Sequence, residues 1–174
     1  MGADQSSRRA LVEGVLHPVI VVSDMEAALR FYRDLLGLRV TSDDVHDPEL
    51  MRRLTGYDNA DVRAIILECP DRTEIELAEF RRPRGHSKVS RQFEDAGLYS
   101  VTFTVSDLED VVGRLRAAGY HFTSASVVRH VLRDGAVVRV VYCIGPDGVL
   151  ITLAELPKGR QSPGVETNMR VPVR

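Results

Sequence analysis

The sequence predicts an α+β fold of two tandem βαβββ modules. Three observations carry this. The chain repeats itself in two ungapped blocks, each half has a helix-start motif after its first strand, and each half has turn chemistry before its last strand. In the first block His17-Pro-Val-Ile-Val-Val-Ser-Asp-Met-Glu26 matches Ser100-Val-Thr-Phe-Thr-Val-Ser-Asp-Leu-Glu109, at an offset of 83. In the second, Cys69 to Phe80 matches Gly145 to Leu156 at an offset of 76, with Leu-Ala-Glu shared. The second half is therefore the shorter by seven residues, in the same block order.

Each half opens on a β-rich run, Val15–Val22 or Leu98–Val105. The runs end at Ser23-Asp-Met-Glu26 and Ser106-Asp-Leu-Glu109, both of the capping-box form, so serine hydroxyls are expected as the helix caps with the glutamates returning the bond. Helices follow from Met25 to about Leu36 and from Leu108 to Ala118. Gly37 and Gly119 stand where a left-handed stop is needed. Ala28, Leu29, Phe31, Tyr32, Leu35 and Leu36 form the buried stripe of the first helix, and Val111, Val112, Leu115 and Ala118 that of the second.

Three strands are expected after each helix: Arg39–Ser42, Val62–Cys69 and Thr73–Phe80, then His121–Arg129, Ala136–Ile144 and Val149–Leu156. Pro70-Asp-Arg72 and Pro146-Asp-Gly148 are hairpin turns. The insert 43–60 is expected to hold a short helix near Glu49–Leu54. The division is then a flexible N-terminus (1–13), module one (14–80), a charged linker (81–96), module two (97–156) and a flexible tail or arm (157–174).

Composition bounds the function. The 174 residues are 44 % apolar and 28 % charged, enough for a sizeable core. A net charge of −2 gives no footprint for nucleic acid. No window is long and apolar enough to span a membrane, and the first ten residues lack a secretory apolar stretch. Cys69 and Cys143 lie in apolar runs and read as buried free thiols of a cytoplasmic protein. Tryptophan is absent, so a ligand site must use Tyr, Phe or aliphatic walls.

The run from Val22-Ser-Asp24 through Phe31-Tyr32 to Leu36-Gly-Leu38, together with Pro146-Asp-Gly148 and Ile151-x-Leu153, resembles the vicinal oxygen chelate superfamily of glyoxalase, bleomycin-resistance and extradiol-dioxygenase proteins. The resemblance covers roughly residues 14–156. It implies paired cup-shaped mixed sheets around a divalent metal, and a homodimer. It also implies four ligand positions, which the repeat places at His17 and Glu76 in module one and at Ser100 and Thr152 in module two. An imidazole and a carboxylate suit a metal; two neutral hydroxyls do not. The expected cofactor is therefore none, or a weakly held divalent metal on His17 and Glu76.

The same departure argues against family activities that need module two. Ring-cleaving dioxygenases resemble each other in a two-histidine, one-carboxylate iron site, which would need ligands at Ser100 and Thr152. Glyoxalase, methylmalonyl-CoA epimerase and fosfomycin-type relatives use a terminal-strand carboxylate there, and Thr152 cannot take a proton at neutral pH. Strand alternation lines the expected cup with His17, Glu74, Glu76, Ser100, Thr102, Thr104 and Thr152, a set suited to an oxygenated small molecule. His17 and Glu76 are candidate acid/base groups, metal ligands, or simply each other's hydrogen-bond partners. Glu74, Ser100, Thr102, Thr104 and Thr152 are candidate ligand contacts. His46, His86, His121 and His130 read as surface residues, and Arg81, Arg82 and Arg84 as a solvated loop. Three functions stay open: a lyase or isomerase of the glyoxalase type, a metal-free sequestering protein, and a non-catalytic partner domain.

Overall fold

A computed structural model describes residues 12, 14–85, 100–132 and 134–159. His86 and most of the linker lie outside these residues, as do the N-terminal segment and most of the tail. The first half runs β1 (Val19–Val22), helix α1 (Met25–Leu29) continuing into a wide π-helical turn (Arg30–Leu35), β2 (Arg39–Val45), α2 (Pro48–Thr55), β3 (Asp61–Glu68) and β4 (Glu74–Arg82). The second runs β5 (Ser100–Thr104), α3 (Leu108–Ala117), β6 (His121–Phe122), β7 (Val128–Val131), β8 (Val137–Ile144) and β9 (Leu150–Glu155). The sheets order β1-β4-β3-β2 and β5-β9-β8-β6, with β7 also on β8. In each half the first strand lies parallel to the last and the hairpins are antiparallel. This is the paired βαβββ arrangement read from the repeat.

Two details differ from expectation. The helix caps are Asp24 and Asp107, not the serines. Both aspartates have extended backbones, the helices start at Met25 and Leu108 as expected, and the Asp24 and Asp107 carboxylates accept the amides of Ala27 at 2.9 Å and Asp110 at 3.0 Å. Ser23 instead donates to Asp147 of the other module, and Glu26 and Glu109 pair with Arg63 and Arg139. The expected strand His121–Arg129 is broken at residues 123–127 into β6 and β7. Gly37 and Gly119 do take the positive φ that ends each helix, at 79° and 87°.

The wide turn turns both Phe31 and Tyr32 inward, each fully buried. Phe31 meets Tyr120, and Tyr32 meets Phe103, so aromatic rings join the halves. One core holds Ile20, Val22, Leu29, Ile65 and Leu77 from the first half with Leu108, Leu115, Val141, Ile151 and Leu153 from the second. Helices α1 and α3 pack into this core, and each sheet turns its other face away from it. On the first sheet that outer face carries Val19 and Val21, 47 % and 58 % exposed. On the second it carries exposed Thr102 and Thr104.

Candidate functional site

Strand period places the polar groups on these outer faces. Ile75 and Leu77 of β4 enter the core, so Glu76 between them points outward. Pro18 ends the approach to β1, and its carbonyl accepts the Glu76 amide at 3.0 Å. His17 therefore stands beside Glu76. Its Nε2 lies 3.1 Å from Glu76 Oε2, with the two side chains only 16 % and 13 % exposed. A carboxylate this far from water needs partners, and imidazole supplies one.

A second imidazole reaches the same carboxylate. His46, just after β2, brings Nε2 to 3.4 Å from Glu76 Oε1. Reading the sequence as a register of repeats missed it, because the insert has no counterpart in module two. The signal that could have found it is its place at a strand end, just before the Asp47 cap and Pro48. The two rings grip opposite oxygens of Glu76.

On the second sheet the hydroxyl of Thr152 lies 3.1 Å from that of Ser100. Thr152 is buried and Ser100 half-buried. Thr102 stands opposite Thr152 in the parallel register, and Tyr142 stands opposite it on β8. Each half thus holds its own pair within hydrogen-bonding distance. Among the described residues no hydrogen bond or ion pair links the His17–Glu76 group to the Ser100–Thr152 group. The cup expected from seven side chains is, within one chain, two separate faces. Glu74 stands half-buried at the start of β4, opposite Glu68.

Of the other candidates, His121 and His130 are exposed, as expected. Arg81 pairs with Asp61 and Glu79, and Arg82 with Asp61, so two of the three basic side chains are already matched. Both cysteines are free. Burial pushes the Cys143 thiol up to about 11 and raises that of Cys69, so neither is tuned as a nucleophile.

The donor set does not fit the family's four-ligand metal. The module-two positions are hydroxyls already bonded to each other, and both imidazoles present Nε2 to the carboxylate rather than to a common point. Among the described residues no group of three or more His, Cys, Asp or Glu side chains is set to hold a metal ion.

Comparison with known proteins agrees with the fold. A glyoxalase family protein from Bacillus cereus is similar at 26 % identity and a TM-score of 0.75, over 86 % of this chain and 97 % of that one. The trypanothione-dependent glyoxalase I of Leishmania major is similar at 20 % identity and a TM-score of 0.57, over 83 % and 87 %. A fosfomycin resistance protein from Listeria monocytogenes, solved with Mn(II) and sulfate, gives 13 % identity and a TM-score of 0.57, over 85 % and 96 %. No curated protein matches. The family description "Glyoxalase/Bleomycin resistance protein/Dioxygenase superfamily" matches residues 14–153, most of the chain. The chain belongs to that superfamily.

Proposed function

We propose that this protein binds and transforms a small oxygenated metabolite at the polar group centred on Glu76, as a lyase or isomerase with no or weak metal dependence. The observation that carries this is the Glu76 carboxylate itself, 13 % exposed on an outward strand face and held between two imidazoles. Keeping a carboxylate out of water costs stability even when it is paired, and carboxylates held in this way cluster at functional sites. The second face, with Ser100, Thr102, Thr104 and Thr152, supplies hydroxyls for the ligand's oxygens.

The two faces look away from one core, so a closed cup takes its second wall from another copy. A homodimer provides this, and the exposed Val19 and Val21 are apolar area for it to cover. The free cysteines suit a reducing cytoplasm. A metal-free sequestering protein is the second reading. The mutual Ser100–Thr152 bond favours it, because module two then offers recognition without a proton acceptor.

Thermal-shift screening of polyols, aromatic diols and acyl-thioesters should give a ligand. His17→Ala and Thr152→Val should each weaken its titrated affinity, and product analysis separates turnover from sequestration. Unaltered affinity in both variants would place the ligand elsewhere.

A further inference from the structure

His46 is fixed from both sides. Its amide donates to the Val62 carbonyl at 2.9 Å, carrying the ladder one residue past β2. Asp47, next in the chain, caps α2 by accepting the Leu50 amide at 2.7 Å. Met51 of that helix is buried against Ala60, Val62 and Ala78 on the outer face of the sheet. β3 lies between β2 and β4, so the His46 ring crosses it to reach Glu76. Ala64 and Ala78 are cross-strand partners on the same face as Glu76, and their methyl groups leave room for that crossing.

The bonds also set the ring tautomers. A carboxylate oxygen only accepts, so the Nε2 that faces it carries the proton in both rings. Nδ1 is then the bare acceptor. In His17 that atom is buried and, among the described residues, without a partner. The His46 side chain is 35 % exposed, so its ring is the one a small molecule can meet. A carboxylate that holds one imidazole nitrogen fixes the tautomer, and it stabilises the cation formed when the other nitrogen takes a proton.

We propose that His46 Nδ1 is the proton acceptor of this site, and that Glu76, braced on its other oxygen by His17, orients it rather than acting as the base. The ligand class is a small molecule with a C–H beside a carbonyl. The proton moves from the ligand's carbon to His46 Nδ1. The bonding pair stays behind as an enolate, and the ring becomes a cation against the Glu76 carboxylate. Returning the proton to a neighbouring atom completes an isomerisation, with no oxidant or reductant needed.

This rests on the reading that the Glu76 face is the ligand side, but its test needs no ligand. Long-range proton–nitrogen spectra of protein labelled with ¹⁵N-histidine should show His46 with Nε2 protonated and Nδ1 bare. Diethyl pyrocarbonate at neutral pH, with modified histidines located by peptide mass spectrometry, should modify His46 and spare His17. In Glu76→Gln the His46 rate should fall about fivefold, the difference between a charge-assisted hydrogen bond and the neutral one the amide oxygen can still accept, while His121 and His130 keep their rates. If Glu76→Gln fails to fold, Glu76→Asp draws the carboxylate back by one methylene and should show the same loss. An Nδ1-protonated His46 in the wild type, or an unchanged rate in the folded variant, overturns the proposal. Loss of ligand binding elsewhere would leave these results intact, so the two readings fail separately.

Discussion

The Glu155 carboxylate accepts the backbone amide of Leu108 at 3.2 Å, and Glu79 accepts that of Met25 at the same distance. The last strand of each module thus caps the first turn of its own helix. That is the physical reason the Leu-Ala-Glu ending recurs in both halves of the sequence. The first amides of a helix have no partner inside it, and a negative charge there also meets the positive end of the helix dipole. Glu79→Ala and Glu155→Ala should each lower the free energy of unfolding by about 1–2 kcal/mol, the range of a lost charged cap. Urea titration with unchanged m-values reads this directly. A loss under about 0.3 kcal/mol would mean that water serves these amides equally well.

The contrast between these glutamates and His46 shows what a sequence can tell. The repeat equated β1 with β5 and β4 with β9, and so matched His17 to Ser100 and Glu76 to Thr152. Period-two alternation also put Ile20 and Val22 in the core and Val19 and Val21 outside it. What failed was whatever has no local pattern. Both Ser23 and Asp24 can cap a helix, and only the backbone angle at Asp24 decides between them. His46 reaches Glu76 across an intervening strand, over 30 residues of chain, from an insert present in one half alone. How the halves meet is a further case. The repeat equates positions between the halves, but only the fold shows that the rings of Phe31, Tyr32, Phe103 and Tyr120 join them.

Thr152 and Ser100 satisfy each other in the absence of ligand. Thr152→Val keeps the side-chain shape and removes the hydroxyl. Ser100 is half-buried, so water can replace the lost partner, and stability should fall by less than about 1 kcal/mol. Affinity for a ligand that contacts this face should fall up to about tenfold. Calorimetric titration beside a melting curve separates the two effects. A large loss of stability with full affinity would make the pair structural.

Arg63 joins three elements. It bonds Asp43 of β2 through two nitrogens at 2.9 and 2.7 Å and Glu26 of α1 at 2.8 Å, from its own place on β3. The guanidinium holds the Asp43 carboxyl below its ordinary 3.8. A carboxyl whose folded value is depressed stabilises the fold above its unfolded value, and this is lost as pH falls through the folded one. The stability gap between wild type and Arg63→Ala should therefore be constant near neutrality and shrink below about pH 4. Urea midpoints at pH 6 and pH 3 give the comparison. A gap that stayed the same on acidification would show that Arg63 acts through packing of its stem instead.

Tyr32 offers the sharpest stability test, because its ring and its hydroxyl pull in opposite directions. The ring is fully buried, edge-on to Phe31 at 4.9 Å and 6.4 Å from Phe103, where the two modules meet. The hydroxyl is buried with no hydrogen-bond partner among the described residues. Burial above all, and then the nearby Asp147, push its ionisation far above the ordinary tyrosine range, so it stays a neutral hydroxyl. A buried hydroxyl without a partner costs about 1–3 kcal/mol relative to water. Tyr32→Phe removes that cost and keeps every ring contact, leaving a void of one oxygen, smaller than a methyl group and worth less than about 1 kcal/mol. The net expectation is a gain of about 1 kcal/mol, or a rise of about 2–4 °C in melting temperature for a chain of this size. Tyr32→Ala should instead cost about 3–5 kcal/mol, because it empties the contact between the modules. Calorimetry of the three proteins decides it. If Tyr32→Phe melts lower than wild type, the hydroxyl has a partner in solution, and an ordered water held between the modules becomes the feature to explain.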